Sequence, residues 1–197
     1  MNEASNEISR PEEATPPAFW TPLREGEREI LLKQNRGRVF DCAEVLFVAR
    51  RCGGGYPQAV VSNPLSPEGL PFPTLFWLTC PYLRRRCGEL ESAHKIAELE
   101  TIFAADGEAV KKWHAAYAAL RLSLIPPRGR ERIKKMKPGI ARVLSESGVG
   151  GINLKENPHA AKCLHLQTAT LLGLGSHPAE SWLRAELGAM ECAGSLV

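Results

Sequence analysis

Every strand-like segment of the chain lies before Pro81, and every segment after it has the periodicity of a helix. Residues 42–49, 58–62 and 74–79 are short and rich in β-branched and aromatic residues, as strands are. Three glycines at 53–55 separate the first two segments and predict a hairpin turn. This order predicts an α+β fold, with a small N-terminal antiparallel β hairpin or sheet followed by a mostly helical C-terminal two-thirds.

Apolar residues recur every three or four positions in the C-terminal two-thirds, as they do on the buried face of a helix. In residues 108–124 the stripe includes Val110, Trp113 and Tyr117, so we expect this segment to pack in the core. A short helix is also predicted near the N-terminus, with Thr21 as its N-cap. Further helices are predicted over residues 81–104, 130–145, 158–172 and 178–187.

The chain has 197 residues, a length that fits one hydrophobic core. Residues 1–18 contain four glutamates and three prolines without apolar periodicity, which predicts a disordered acidic leader. We therefore predict a single α+β domain over residues 19–188, followed by a flexible tail over residues 189–197.

Several features predict the cellular compartment. No apolar run approaches the roughly 20 residues that a membrane-spanning helix needs, and the N-terminus lacks the basic and then apolar pattern of a secretory signal. We expect a cytoplasmic protein with no membrane association. In a reducing compartment the six cysteines would be thiols or metal ligands instead of disulfides.

The segment LTCP at 78–81 places a cysteine where a strand pattern gives way to a helix. Pro81 suits the first position of a helix, so Cys80 is the predicted N-cap residue. Backbone N–H groups at that position, with Arg84 nearby, favour a thiolate. Cys80 is therefore a candidate nucleophile or metal ligand, and a small buried side chain at this corner is an equally good interpretation.

The segment KCLHLQ at 162–167 contains two side chains that bind metals, Cys163 and His165. Two residues apart on a regular helix, they point about 200° from each other. Both could bind one ion only if the helix begins after Cys163 or is distorted. The alternative is that both are ordinary residues of a packed helix.

Cys52 precedes the glycine turn of the hairpin, where backbone can approach a ligand closely, and it is the third candidate thiol. A structural role is predicted for the other three cysteines. Cys42 lies in a strand pattern, Cys87 lies on a helical core stripe, and Cys192 lies in a tail that contains alanine and glycine.

Residues 128–137, RGRERIKKMK, contain six basic side chains and one acidic side chain, enough for a patch that binds phosphates. The segment has no aromatic residues for base stacking and matches no nucleic-acid-binding signature. A solvated helix face is the simpler interpretation. The alternative function that this segment supports is a metal-free interaction module for nucleic acid or protein.

Three segments together resemble a known family: GLPFPTLFWLTCPYL at 69–83, GVGGI at 148–152 and KCLH at 162–165. They are similar to the bacterial domain-of-unknown-function family numbered five hundred and one, over about residues 30–188. The resemblance implies a shared fold and shared polar positions, and it implies no activity.

The resemblance also implies a ligand set. Relatives often have a second cysteine in the hairpin turn, where this chain has Gly54, and a further histidine where this chain has Gln167. The residues that match, which we call the predicted ligand set, are Cys52, Cys80, Cys163 and His165.

We expect the predicted ligand set to converge on one metal site that holds zinc or an iron–sulfur cluster. Arg84 and Lys162 are predicted to form an anion-binding pocket beside it. The candidate partners are an anionic small molecule or a nucleic acid. A Cys80 thiolate or a metal-bound water would be the reactive group of an enzyme, but the residues leave open whether the protein is one.

Overall fold

The computed structural model describes residues 15–66, 68–136 and 138–192, so the first 14 residues of the predicted leader and residues 193–197 of the predicted tail lie outside the described residues. No helix in the described ranges is long and apolar enough to cross a membrane. In chain order the elements are α1 (Glu27–Gln34), β1 (Val45–Arg51), β2 (Pro57–Ser62), β3 (Phe76–Leu78), α2 (Pro81–Ser92), α3 (Lys95–Ala105), α4 (Gly107–Ser123), α5 (Pro127–Lys134), α6 (Pro138–Glu146), α7 (Leu164–Leu174) and α8 (Glu180–Leu187).

The three strands form one antiparallel sheet in which β2 is the central strand. Val60 of β2 pairs with Val48 of β1 on one side and with Trp77 of β3 on the other. Every residue of β2 is buried, because helices cover both faces of the sheet. The sheet and the helices that follow it confirm the predicted α+β fold.

Helices α1 and α7 cover the two faces of the sheet. Leu31 of α1 packs with Val48 and other residues of β1 and β2. On the opposite face α7 lies so close to β3 that a Cβ atom at Gly173 would overlap the ring of Phe76. The indole N–H of Trp20 donates to the carbonyl oxygen of Gly173 at 2.7 Å. The close packing that this glycine permits holds α7, whose start contains the KCLH segment, against the sheet.

Two predicted element starts near the N-terminus are wrong. Thr21 begins no helix, because it pairs with Val48 through backbone hydrogen bonds, and α1 begins at Glu27. Strand β1 begins later than predicted, because the Asp41 side chain caps a 3₁₀ turn over Cys42–Glu44.

Left-handed backbone conformations interrupt two of the predicted helices. The segment 81–104 forms two helices, α2 and α3, because His94 between them has a φ of 60°. The segment 158–172 is helical only from Leu164, since Lys162 has a φ of 66° and breaks the helical path. The predicted basic helix is also divided, between α5 and α6.

Arg121 of α4 is completely buried, and no carboxylate of the described residues pairs with it. Its Nε donates to the carbonyl oxygen of Leu144 at 2.8 Å, and its Nη2 donates to that of Ser147 at 2.7 Å. Its Nη1 donates to the carbonyl oxygens of Pro73 and Gly148 at 3.0 and 3.2 Å. Burial lowers the pKa of Arg121 to about 10, so the side chain is still charged at neutral pH. One cation therefore joins α4 to the end of α6, to the GVGGI loop and to the segment before β3.

Two histidines are buried as neutral groups near α4 and α7. His177 Nδ1 accepts from the Ala179 N–H at 3.0 Å, so its Nε2 carries the proton and donates to Gln167 Oε1 at 3.0 Å. His114 Nδ1 accepts from the Val149 N–H at 3.1 Å. Burial lowers the pKa of His114 to about 4, and burial together with the nearby His114 lowers the pKa of His177 to about 3.

Replacing Arg121 by Met should lower the free energy of unfolding by about 3 kcal/mol or more, because four carbonyl oxygens lose a charged hydrogen-bond donor. Arg142→Met is the matched control, since the Arg142 side chain is 63% exposed and contacts only Glu146 among the ion pairs of the described residues. We expect the control to change the free energy of unfolding by less than about 0.5 kcal/mol. Urea unfolding measures both values, and equal effects would contradict the role of Arg121.

Stability should fall as the pH is lowered from about 6.5 to 4. Unfolded histidines take up protons below pH 6.5, whereas His114 and His177 stay neutral until about pH 4 and 3. The unfolded state therefore binds more protons, and His114 alone contributes roughly 3 kcal/mol to the loss. His114→Asn, whose amide oxygen can accept the same N–H, should flatten this pH dependence in urea unfolding. The exposed control His94→Asn should leave it unchanged, and an equally steep dependence in both variants would refute the assignment.

Candidate metal centre

The start of α7 brings two predicted ligands to one place. Cys163 is the N-cap residue with an extended backbone, φ −161° and ψ 153°, and the helix begins at Leu164. The sequence allowed Cys163 and His165 to bind one ion only if the helix began after Cys163, and this condition is met. The left-handed conformation of Lys162 turns the chain immediately before this point.

Glu91, in the last turn of α2, lies beside these two residues. Its Oε1 accepts from the Leu164 N–H at 2.6 Å and lies 2.9 Å from His165 Nδ1. Ligand atoms of Glu91, Cys163 and His165 all lie within 4.8 Å of one another. We call these three residues the Glu91 cluster. The side chains of Glu91 and His165 are 24% and 29% exposed, so solvent can reach the cluster.

The Glu91 cluster combines a carboxylate, a thiol and an imidazole, which are the three side-chain types that bind zinc. Burial raises the pKa of Cys163, and the nearby Glu91 adds to this, although the Leu166 and His165 N–H groups and Lys162 lower it. The metal-free thiol therefore keeps its proton at neutral pH. A bound cation would displace that proton, since thiols bind metals as thiolates.

Cys52 and Cys80 lie elsewhere, at the other end of α2. They line a small cavity of about 20 Å³ together with Cys192 from the segment after α8. Cys80 and Glu91 are on opposite ends of this helix, about 16 Å apart along its axis at 1.5 Å per residue. The structure therefore divides the predicted ligand set into two pairs. Cys163 and His165 lie beside Glu91, and Cys52 and Cys80 lie beside Cys192. The remaining residues that line this cavity, which we call the thiol cavity, are Gln34, Tyr56, Pro57, Gln58 and Pro81.

Cys80 is the N-cap residue of α2, as predicted, with Pro81 at the first helical position. Burial opposes the thiolate character that the sequence predicts for Cys80. Burial raises the pKa of Cys80, which outweighs the backbone N–H groups of Leu83 and Tyr82 that lower it. The sequence shows the helix start and the arginines, but it does not show that the thiol is only 8% exposed.

The two predicted anion-binding residues are also separated. Arg84 Nη1 donates to Asn35 Oδ1 at 2.8 Å, and its Nη2 donates to the Gln34 carbonyl oxygen at 2.6 Å, next to the thiol cavity. Lys162 Nζ donates to the Gly150 carbonyl oxygen at 2.7 Å, next to the Glu91 cluster. Each cation therefore already binds backbone or amide oxygens at one end of α2.

Cys42 and Cys87 have the protein contacts expected of structural residues. The Cys42 thiol donates to the Arg28 carbonyl oxygen at 3.8 Å. The Cys87 sulfur lies 3.3 Å from Thr168 Oγ1, and burial raises the pKa of Cys87 to about 12. Gln167, which stands where relatives have a histidine, points into the core and bonds to His177 instead of joining the Glu91 cluster.

Sequence reasoning missed two residues of these groups, Glu91 and Cys192. Glu91 is 74 positions from His165, and no local spacing links them. The sequence predicts a structural role for Cys192, because it lies in a tail that contains alanine and glycine. The residue type is the feature of the sequence that could have identified Cys192 as a ligand. Its proximity to Cys80 is visible only in the tertiary structure.

Comparison with known proteins supports the family resemblance. The family model described as Protein of unknown function (DUF501) matches residues 48–185. This range contains the whole Glu91 cluster as well as Cys52 and Cys80, while Gln34 and Cys192 lie outside it. Searches of curated proteins and of solved structures gave no significant match. Because the matched range covers more than half of the chain, this protein belongs to the DUF501 family of proteins of unknown function.

Proposed function

We propose that the protein binds a zinc ion at the Glu91 cluster. The observation that supports this is the approach of three different ligand atoms, from Glu91, Cys163 and His165, to within 4.8 Å of one another. Three protein ligands leave a fourth tetrahedral position for water or a small molecule, as in zinc sites that act on substrates. The partial exposure of Glu91 and His165 gives that position access to solvent.

Zinc suits the Glu91 cluster better than an iron–sulfur cluster does. Iron–sulfur clusters are held mainly by cysteine thiolates, and this group has one thiol. A single ion with mixed nitrogen, oxygen and sulfur ligands matches the donor set. The carboxylate of Glu91 also caps α7 by accepting from the Leu164 N–H, so the same side chain stabilises the fold without a metal.

The ligand class that we propose for the fourth position is an anionic small molecule. Lys162 adjoins Cys163, and its Nζ has three N–H groups, of which one is needed for the Gly150 carbonyl oxygen. A zinc ion would polarise an oxygen of such a ligand. Arg84 lies at the other end of α2. Lys162 is therefore the cation that we propose would bind an anion in the fourth ligand position of the zinc ion.

We assign the protein to the cytoplasm within this proposal. No disulfide joins Cys42, Cys52, Cys80, Cys87, Cys163 or Cys192. A reducing compartment keeps such thiols available as ligands.

Cys163→Ser and His165→Gln should each lower the zinc affinity of the Glu91 cluster by more than about tenfold, since each removes a ligand. Glu91→Gln keeps an oxygen that can accept the Leu164 N–H but loses the charge, so it should weaken zinc binding while the metal-free fold persists. Calorimetric titration of zinc into the reduced, metal-free chain measures the affinity.

Circular dichroism shows whether each metal-free variant is folded. A folded variant that binds zinc weakly has lost a ligand and not its fold. The control His94→Gln changes an exposed histidine outside the cluster and should bind zinc as the wild type does. Wild-type affinity in folded Cys163→Ser and His165→Gln chains would refute the proposal.

A second candidate function is nucleic-acid binding by the basic helix. None of the residues of α5 is buried, so its charges face solvent. Part of that charge is already used, because Lys134 pairs with Glu131 at 2.6 Å and Arg132 donates to the Glu68 carbonyl oxygen. The helix is exposed and basic, which supports contacts with phosphates and gives no sequence specificity.

If α5 binds nucleic acid, the double variant Lys134→Glu and Lys135→Glu should weaken binding and reduce the slope of log affinity against log salt by about two. Lys111→Glu and Lys112→Glu on α4 make the same change of charge at exposed positions away from α5 and should have a smaller effect. Fluorescence anisotropy with a labelled RNA 20-mer measures both. No binding by the wild type at low salt, or equal losses in the two double variants, would eliminate this candidate.

A further inference from the structure

The thiol cavity is a second place where side chains with ligand chemistry surround a small space. We propose that it is a structural metal site in which Cys52, Cys80 and Cys192 bind one zinc ion as thiolates. The site is separate from the Glu91 cluster and does not depend on it. Its role would be to fasten the C-terminal segment to the hairpin and to α2.

The three cysteines come from three parts of the chain that other contacts already hold together. Cys80 is the N-cap of α2, and Cys52 begins the hairpin turn, where its N–H donates to the Tyr56 carbonyl oxygen at 2.9 Å. The segment before Cys192 is held on this turn, because Gln58 Nε2 donates to the Met190 carbonyl oxygen at 2.7 Å. The Gly53 N–H also donates to Glu191 Oε2, at 3.0 Å. These bonds position the three cysteines around one cavity.

Gln34 also lines the cavity. Its side chain is 5% exposed and donates through Nε2 to the Pro57 carbonyl oxygen at 3.0 Å. Its Oε1 is buried and has no hydrogen-bond partner among the described residues. An unsatisfied buried carbonyl group costs about 1–3 kcal/mol. A water on a zinc ion would occupy the fourth position beside three thiolates.

The size and the surroundings of the cavity fit such an ion. A volume of about 20 Å³ is room for one ion or one water-sized group. Three thiolates on Zn²⁺ leave one net negative charge, and two positive features face it. The Tyr82 and Leu83 N–H groups lie at the start of α2, next to Cys80, and Arg84 lies one turn further along the helix.

Binding requires the thiols to move inward. In the described residues, one group of three metal-ligand side chains has all its ligand atoms within 4.8 Å of one another, and this group is the Glu91 cluster. The three sulfur atoms at the thiol cavity do not meet this limit, so they are more widely spaced. Cys52 and Cys192 are half-buried and lie outside helices and strands, so the proposal requires rotation of their side chains toward Cys80. Cys80 stays at the cavity wall as the helix N-cap.

The experiment is a titration of the reduced full-length chain with Co²⁺, a spectroscopic substitute for zinc, followed by displacement with Zn²⁺. Thiolate-to-cobalt charge-transfer absorption reports the number of sulfur ligands. We expect two ions per wild-type chain, one at each site. Cys192→Ser should bind one ion and lose most of the charge-transfer intensity, whereas Cys163→Ser should bind one ion and keep most of it.

Cys42→Ser is the matched control, because Cys42 is a buried cysteine that contacts Arg28 and lies outside both sites. It should bind two ions with the wild-type spectrum. A second readout is alkylation by iodoacetamide mapped by mass spectrometry, in which zinc should protect Cys52 and Cys192.

The two metal proposals fail in different ways. Unchanged stoichiometry and spectrum in the Cys192→Ser chain, or alkylation of Cys52 and Cys192 at the same rate with and without zinc, would overturn the thiol site. Binding of one ion to the wild type that Cys192→Ser abolishes and Cys163→Ser leaves intact would support the thiol site and refute the Glu91 cluster.

Discussion

The hydrogen bonds of the buried Arg121 guanidinium fix how α4, the end of α6 and the GVGGI loop meet. The Arg121 N–H groups bind the carbonyl oxygens of Leu144, Ser147, Gly148 and Pro73, so α4, the end of α6 and the chain before β3 share one cation. The Tyr117 hydroxyl adds a second link to the same region by accepting from the Leu75 N–H at 2.7 Å. Burying a charge without a counter-ion costs free energy unless hydrogen-bond acceptors surround the charge. Here the acceptors are carbonyl oxygens from the end of α6, the GVGGI loop and the chain before β3.

This interaction reaches the candidate metal centre through the GVGGI loop. Arg121 holds the loop at Gly148, and the carbonyl oxygen of Gly150 in the same loop accepts from Lys162 Nζ. Lys162 has a left-handed backbone, and α7 begins two residues later. Cys163 lies outside the helix, which allows its side chain to approach His165. Its position therefore depends on the GVGGI loop, which Arg121 holds in place.

Helix α2 connects the two groups of ligand-type side chains. Cys80 begins it and Glu91 lies in its last turn, while Cys87 between them is buried against Thr168 of α7. Cys80 and Cys163 are both N-cap residues, next to the backbone N–H groups of a helix start, yet burial raises the pKa of both thiols. Thiols with a raised pKa are poor nucleophiles when they are free.

The sequence by itself determined the order of strands and helices, the glycine turn of the hairpin and the start of α2 at Cys80, because these depend on periodicity and on local backbone preferences of glycine and proline. It also identified four ligand-type residues by chemistry. The tertiary structure decided which of them meet. Glu91 lies beside Cys163 and His165 because α2 packs against α7. Cys192 lies beside Cys52 and Cys80 because the C-terminal segment packs against the hairpin. These residues are far apart in the sequence, so no local spacing rule predicts either group. Burial, which sets the protonation of these thiols, likewise exists only in the folded chain.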